Sequence, residues 1–66
     1  MNITVNNQIR TASAGQTLAD LINEMGLDAA RIAVEYNRDI LTRDTLATIS
    51  LQDGDVIEIV NFVGGG

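Results

Sequence analysis

One short amphipathic helix with recognisable ends constrains the fold of this chain more than any other feature. Four apolar residues recur at positions i, i+3, i+4 and i+7, which share one helical face: Leu18, Leu21, Ile22 and Met25. Thr17 followed by Asp20 resembles a capping box, and Gly26 can supply a left-handed residue after the last turn. We therefore predict a helix over 18–25, with one apolar stripe that must be buried against another part of the chain.

The other apolar residues mostly alternate with polar ones, and this alternation is typical of half-buried β-strands. Five segments are therefore predicted to be extended: 3–5, 9–12, 32–36, 40–41 and 56–63. Residues with turn propensity separate them at three places: 6–7, 37–39 and 53–54. Residues 43–46 are predicted to form a single helical turn.

The order of these elements predicts an α+β fold in one domain over 1–63, followed by a glycine tail over 64–66. Only a sheet can bury the stripe of a helix that lies between the second and third strands, so the helix must cross one sheet face. A mixed sheet with one helix packed across one face is the ubiquitin-like β-grasp arrangement. The predicted core has eight members: Ile3, Val5, Leu18, Leu21, Ile22, Val34, Ile57 and Ile59.

The composition excludes several classes of function. The chain has 66 residues and contains no His or Cys, which rules out a zinc site of the usual kind and a Ser-His-Asp triad. The net charge of −5 argues against a nucleic-acid partner. No apolar stretch reaches the roughly 20 residues that span a bilayer, and the first residues do not resemble a signal peptide. We therefore expect no membrane association, a cytoplasmic location and no bound cofactor.

The last strand predicts a docking surface. If Ile57 and Ile59 face the helix, then Glu58, Val60 and Phe62 face away from it and form an exposed patch that leads to the tail. The alternatives are that Phe62 folds over the sheet edge or that a loop covers it.

The acidic residues have structural interpretations. Asp20, Glu24 and Asp28 are expected to lie on a solvated helical face, and they are not favoured as an acid–base pair. Asp53 and Asp55 flank Gly54 and are interpreted as turn residues.

Several short segments together resemble the ThiS family, the small sulfur carriers of thiazole synthesis in thiamine formation. The resemblance covers the whole chain and rests on these pieces: Ile3-x-Val5-Asn6, Ala14-Gly15-Gln16-Thr17-Leu18, Val34-Glu35-Tyr36-Asn37, Ile40-Leu41 with Arg43, Gln52-Asp53-Gly54-Asp55-Val56-Ile57, and Gly65-Gly66. The chain departs from the family at Thr42, where Pro is frequent, and at Gly64, which makes the tail three glycines long.

This resemblance implies a carrier and not an enzyme. In the family, a ThiF-like adenylyltransferase uses ATP to adenylate the terminal glycine carboxylate, which corresponds to Gly66. Sulfur from a sulfur-donor protein then gives a thiocarboxylate, and a ThiG-like thiazole synthase receives that sulfur. Gly64 and Gly65 would thread the tail into the partner's site, since glycine has no Cβ and three extended residues reach about 10 Å.

Two alternatives remain open beside the thiazole carrier. A MoaD-like carrier for molybdopterin, or a carrier of another pathway, would use the same chemistry, but MoaD-like chains are usually longer. A non-conjugated ubiquitin-like binding module would have a tail without function, because glycine-rich chain ends can also be frayed termini or remnants of expression sequences.

Overall fold

The computed structural model describes residues 1–62, which form a five-stranded mixed sheet with one α-helix across one face. The elements in chain order are β1 (Asn2–Val5), β2 (Gln8–Thr11), α1 (Leu18–Glu24), a 3₁₀ turn (Ala29–Arg31), β3 (Ile32–Tyr36), β4 (Asp39–Leu41), a second 3₁₀ turn (Arg43–Thr48) and β5 (Val56–Asn61). The strand order is β2-β1-β5-β3-β4. Only the β1–β5 pair of this described sheet is parallel. The predicted β-grasp fold is confirmed.

The ends of α1 are closed as the sequence predicts. Thr17 Oγ1 accepts from the Asp20 amide at 3.1 Å and Asp20 Oδ2 accepts from the Thr17 amide at 3.0 Å, so the capping box is complete. Gly26 has φ 73°, and its amide donates to the Asn23 carbonyl at 3.0 Å while the Leu27 amide donates to that of Ile22 at 3.1 Å. This Schellman motif ends the helix one residue before the predicted Met25.

The core lies between α1 and the inner face of the sheet. All eight predicted core residues are buried. Four more are buried that the periodicity does not single out: Ala12, Ile32, Leu46 and Leu51. Leu46 belongs to the second 3₁₀ turn, which is two residues longer than the predicted helical turn. Within residues 1–62, the structure has no helix long and apolar enough to cross a membrane.

Both hairpin turns have two consecutive residues at positive φ. Asn6 and Asn7 have φ 51° and 68°, and Asn37 and Arg38 have φ 48° and 76°. Paired left-handed residues give the twist that two-residue hairpin loops require, and Asn tolerates this conformation. Three of these four residues are asparagines, whose short polar side chain can form a local hydrogen bond in the left-handed conformation. Arg38 has no such group, so positive φ is unfavourable for it.

One prediction for the C-terminal half needs correction and another needs an addition. The last strand ends at Asn61, so Phe62 follows β5 and is not part of it. Val63 and the predicted tail over 64–66 lie outside the described residues. Asp55 closes the predicted turn, since its amide donates to the Gln52 carbonyl at 3.1 Å. It is also buried, with only 7% of its surface exposed, and its side chain holds β5 to the β3–β4 turn as described below.

Candidate functional site: the outer face of the sheet

The face of the sheet opposite α1 is uncovered in the described part of the chain. Along β5, Ile57 and Ile59 are buried against the helix, whereas Val60 is 60% exposed and Glu58 is half-buried. Phe62 is 58% exposed, so no described segment covers it. The predicted division of the last strand into an inner and an outer side is therefore what the structure shows.

Strand pairing surrounds the predicted residues with neighbours from β3 and β4. Glu58 lies directly opposite Glu35, and Val60 lies opposite Ala33. Glu35 is in turn opposite Ile40, which is 80% exposed. Together these strands form a shallow depression of about 200 Å³ lined by Ala33, Val34, Glu35, Ile40, Glu58 and Val60.

Ala33, Glu35 and Ile40 were not predicted to belong to this surface. The signal for the first two was present, because Ala33 and Glu35 alternate with the buried residues of β3. Their pairing with β5 was not predictable, because register between distant strands is not a local property of either one.

A main-chain hydrogen bond holds the end of the described chain against the sheet. The Phe62 amide donates to the Arg31 carbonyl at 2.7 Å, one step beyond the Ile32–Asn61 pair. This bond fixes Phe62 beside the start of β3. The predicted tail residues Gly64, Gly65 and Gly66 lie outside the described residues, so the structure locates the approach to the tail and not the tail itself.

Asp55 holds the far end of β5 to the β3–β4 turn. Its Oδ2 accepts from the Tyr36 hydroxyl at 2.7 Å and from the Gln52 amide at 2.8 Å, and its Oδ1 accepts from Asn37 Nδ2 at 3.2 Å. Asn37 Oδ1 accepts from the Val56 amide at 2.8 Å. Burial, together with this hydrogen bond and the nearby Asp55 charge, raises the pKa of Tyr36 to about 12.

Asn6 binds to β5 on the side opposite β3. Its amide donates to the Ile57 carbonyl at 2.9 Å, and its Oδ1 accepts from the Ile59 amide at 2.7 Å. The side chain thus continues the parallel β1–β5 pairing beyond the last residue of β1. β5 is held on both sides, which gives the outer face a rigid central strand.

The acidic residues near α1 are exposed to solvent, as expected, and each of them also makes a structural contact. Asp20 closes the capping box, and Glu24 Oε1 accepts from Arg10 at 3.0 Å. Asp28 Oδ1 accepts from the Ala30 amide at 2.9 Å and so caps the first 3₁₀ turn. All three carboxylates are on exposed residues. Among residues 1–62, no group of three or more His, Cys, Asp or Glu side chains is placed to hold a metal ion.

The geometry of the outer face suits contact with another protein. A depression of about 200 Å³ is smaller than the roughly 300–1,000 Å³ of pockets that enclose small molecules. An exposed apolar surface with a few charged groups on a rigid sheet is typical of a protein-binding face.

Known proteins resemble this chain over its full length. The model of the ThiS family matches residues 3–66. The chain is 39% identical over 66 residues to a thiazole synthase of Paramagnetospirillum magneticum, an alignment that covers all of this chain and 20% of the synthase. This chain therefore spans about a fifth of the length of that relative.

Two further relatives match the chain in full. It is 33% identical over 66 residues to the sulfur carrier protein ThiS of Escherichia coli, and the alignment covers 100% of both chains. The fold superimposes on the crystal structure of a thiamine biosynthesis protein, ThiS, from Geobacter metallireducens with a TM-score of 0.84 at 30% identity, again over 100% of both chains.

Proposed function

The chain belongs to the ThiS family, and from this membership we propose that it is a sulfur carrier protein of thiamine biosynthesis. The observation that carries the proposal is the family match over residues 3–66, which extends through the three glycines. The full-length alignment with the Escherichia coli carrier supports it further. In this role the chain is a co-substrate of its partner enzymes and not itself a catalyst.

The chemistry takes place at the carboxylate of Gly66. A carboxylate is a poor electrophile until one of its oxygens becomes part of a good leaving group. A ThiF-like adenylyltransferase provides this: the Gly66 carboxylate attacks the α-phosphate of ATP, pyrophosphate leaves, and an acyl-adenylate forms. The outer sulfur of a persulfide on a sulfur-donor protein then attacks the acyl carbon, and AMP leaves. A thiol cleaves the S–S bond of the resulting acyl disulfide, which leaves a thiocarboxylate at Gly66 and a disulfide between the thiol and the donor. ATP is bound by the adenylyltransferase and not by this chain.

Gly64 and Gly65 carry the reactive group away from the folded domain. The adenylyltransferase has to enclose the acyl-adenylate, because water would hydrolyse it. A channel narrow enough to exclude water admits a backbone without Cβ atoms most easily. The division into a domain over 1–63 and a tail over 64–66 follows from this requirement.

Glu58, Val60 and Phe62 form the docking surface for the partner enzymes. Phe62 precedes Gly66 by four residues and is held to β3 through its amide, so contacts on this face place the tail near the partner's site. The alignment of this chain with one fifth of a thiazole synthase supports a ThiG-like thiazole synthase as the partner that receives the sulfur.

An exchange assay with the adenylyltransferase of the same host tests the proposal. We expect the wild-type protein to support exchange of labelled pyrophosphate into ATP, since adenylation of Gly66 is reversible. Deletion of Gly65 and Gly66 should abolish the exchange, whereas Asp39→Asn, on the exposed β4, should leave it unchanged. Equal exchange with the deletion variant would refute adenylation of the tail.

Complementation then identifies the pathway. A host strain that lacks its own carrier for thiazole synthesis should grow without thiamine when it expresses the wild-type chain. The variant without Gly65 and Gly66 should fail to restore growth. If the wild-type chain supports pyrophosphate exchange but not growth without thiamine, it is a carrier for another pathway.

A further inference from the structure

Two glutamates of the outer face lie directly opposite each other in the sheet. Glu35 on β3 and Glu58 on β5 are register partners, and both line the same depression. Directly opposite residues of antiparallel strands have Cβ atoms about 4.5–5.5 Å apart, close enough for two carboxylates to interact. Both residues are half-buried, so their charges are only partly screened by water.

Neither glutamate of this pair is part of an ion pair in the described part of the chain. The ion pairs within residues 1–62 are Arg10–Glu24 and Arg31–Asp28, and neither includes Glu35 or Glu58. Like charges directly opposite each other destabilise a sheet. The free protein therefore carries a local repulsion that a cation placed between the two carboxylates would relieve.

The surroundings of the pair indicate what kind of cation fits. Val60 and Ile40, both largely exposed, flank the two glutamates on the same depression. A partner that covers these apolar side chains also removes water from the carboxylates, and the charges then interact more strongly. Arginine suits such a position, because its planar guanidinium can donate to two carboxylates at once and is weakly hydrated.

A second copy of this chain is a poor occupant of the face. Each copy has a net charge of −5, and a symmetric dimer through this surface would bring two Glu35–Glu58 pairs towards each other. Charge complementarity instead favours a different protein with a basic group inside an apolar surface.

We propose that the adenylyltransferase places one arginine side chain between the carboxylates of Glu35 and Glu58, with apolar side chains around it that pack on Ala33, Ile40 and Val60. The proposal rests on the proposed function, which supplies the partner, and it assigns Glu35 and Ile40 to a docking surface that the sequence placed on β5 alone. The arginine sets which partner surface fits, and the apolar rim excludes water from the charged contact.

Three glutamine variants and one matched control test this arrangement. E35Q, E58Q and the double variant are compared with D39N, which removes one negative charge from an exposed position on β4 next to Ile40. The dissociation constant of each with the host adenylyltransferase is measured by calorimetry. E35Q and E58Q should each weaken binding about 10- to 100-fold, the range for loss of a hydrogen bond to a charged group.

The double variant and the control distinguish the proposed contact from a general effect of lost negative charge on binding. If one arginine bridges both carboxylates, the two substitutions share a partner, so the loss in the double variant should differ from the product of the two single losses. D39N should stay within about twofold of wild type, since long-range attraction between exposed charges is screened. Multiplicative losses in the double variant, or an equal loss with D39N, would overturn the single-arginine contact.

The free protein offers a readout that does not depend on any partner. Because the pair is repulsive without its cation, E35Q and E58Q should melt at or above the wild-type temperature while they bind more weakly. A lower melting temperature would mean that the carboxylates stabilise the free fold, which contradicts the proposal. A wild-type dimer in sedimentation that Val60→Asp dissociates would also contradict the proposal, because a second copy of the chain would then occupy the outer face.

Failure of this inference is distinguishable from failure of the proposed function. If wild type supports pyrophosphate exchange but E35Q and E58Q bind the adenylyltransferase as wild type does, only the arginine contact is refuted. If wild type supports no exchange, the carrier function itself is refuted.

Discussion

Replacing Asp55 by Asn should destabilise the fold far more than its place beside a turn glycine suggests. The carboxylate accepts three hydrogen bonds, two at Oδ2 from Tyr36 and Gln52 and one at Oδ1 from Asn37. An amide of the same shape has only one acceptor oxygen. Whichever way the Asn amide is turned, its NH₂ group replaces one of the two acceptor oxygens. At least one of the three donors then faces another donor and loses its hydrogen bond.

The expected cost is the loss of one hydrogen bond to a charged group, about 1.5–3 kcal/mol of the free energy of unfolding. In a domain of 60–100 residues, each kcal/mol lowers the melting temperature by about 4–8 °C, so the fall should be roughly 6–24 °C. Thermal unfolding followed by circular dichroism at neutral pH measures it directly.

Asp53→Asn is the matched control, because Asp53 and Asp55 flank the same glycine. Asp53 is exposed, and its Oδ1 accepts one bond, from the Asn2 amide at 2.8 Å. The oxygen of an Asn side chain can accept the same bond, so the change should stay within about 0.5 kcal/mol. If the two variants melt at the same temperature, the Asp55 network does not stabilise the fold as argued.

Three further predictions concern the second hairpin and the outer face. Arg38 has φ 76°, so Arg38→Gly should raise the free energy of unfolding by about 1 kcal/mol in urea titrations; a decrease would mean that the arginine side chain makes a stabilising contact. Phe62→Asp should keep the melting temperature but weaken adenylyltransferase binding about tenfold or more, whereas Ile9→Asp, at a residue that is 79% exposed on edge strand β2, should bind normally; unfolding of the Phe62 variant would place that residue in the core. Because the pKa of Tyr36 is about 12 in the fold against a reference of 10.0, the unfolded chain loses this proton first, so stability should be lost as the pH rises from about 10 to 12. Tyr36→Phe should flatten that loss, and an unchanged slope would contradict it.

Local signals predicted the elements of this fold and the packing of the helix across one sheet face, but not the order and register of the strands. The helix was predictable because its stripe, its capping box and Gly26 all lie within ten consecutive residues. The parallel β1–β5 pair joins Val5 to Ile57, and no property of either segment alone specifies that neighbour. The core residues Leu46 and Leu51 were missed for a related reason, because irregular segments have no period to reveal which side faces inwards.

For the candidate site, the residues on each face of a strand were predictable, but the contacts between strands were not. Alternation along β5 separated Glu58 and Val60 from the buried isoleucines, and the structure bears this out. Asp-Gly-Asp correctly indicated a turn that Asp55 closes, but the burial of Asp55 was not predictable, because its side-chain partners Tyr36 and Asn37 come from a distant hairpin. The Glu35–Glu58 pair depends on register, which tertiary packing decides.

The intact mass of the protein purified from its own host, grown without thiamine, tests the central claim most directly. The proposed function predicts a fraction of molecules heavier by the exchange of one oxygen for sulfur, with fragmentation placing the change at Gly66. The variant without Gly65 and Gly66 should show only its unmodified mass. A wild-type protein that shows no such fraction, or one in which the sulfur lies elsewhere in the chain, would contradict a carrier that works through its terminal glycine.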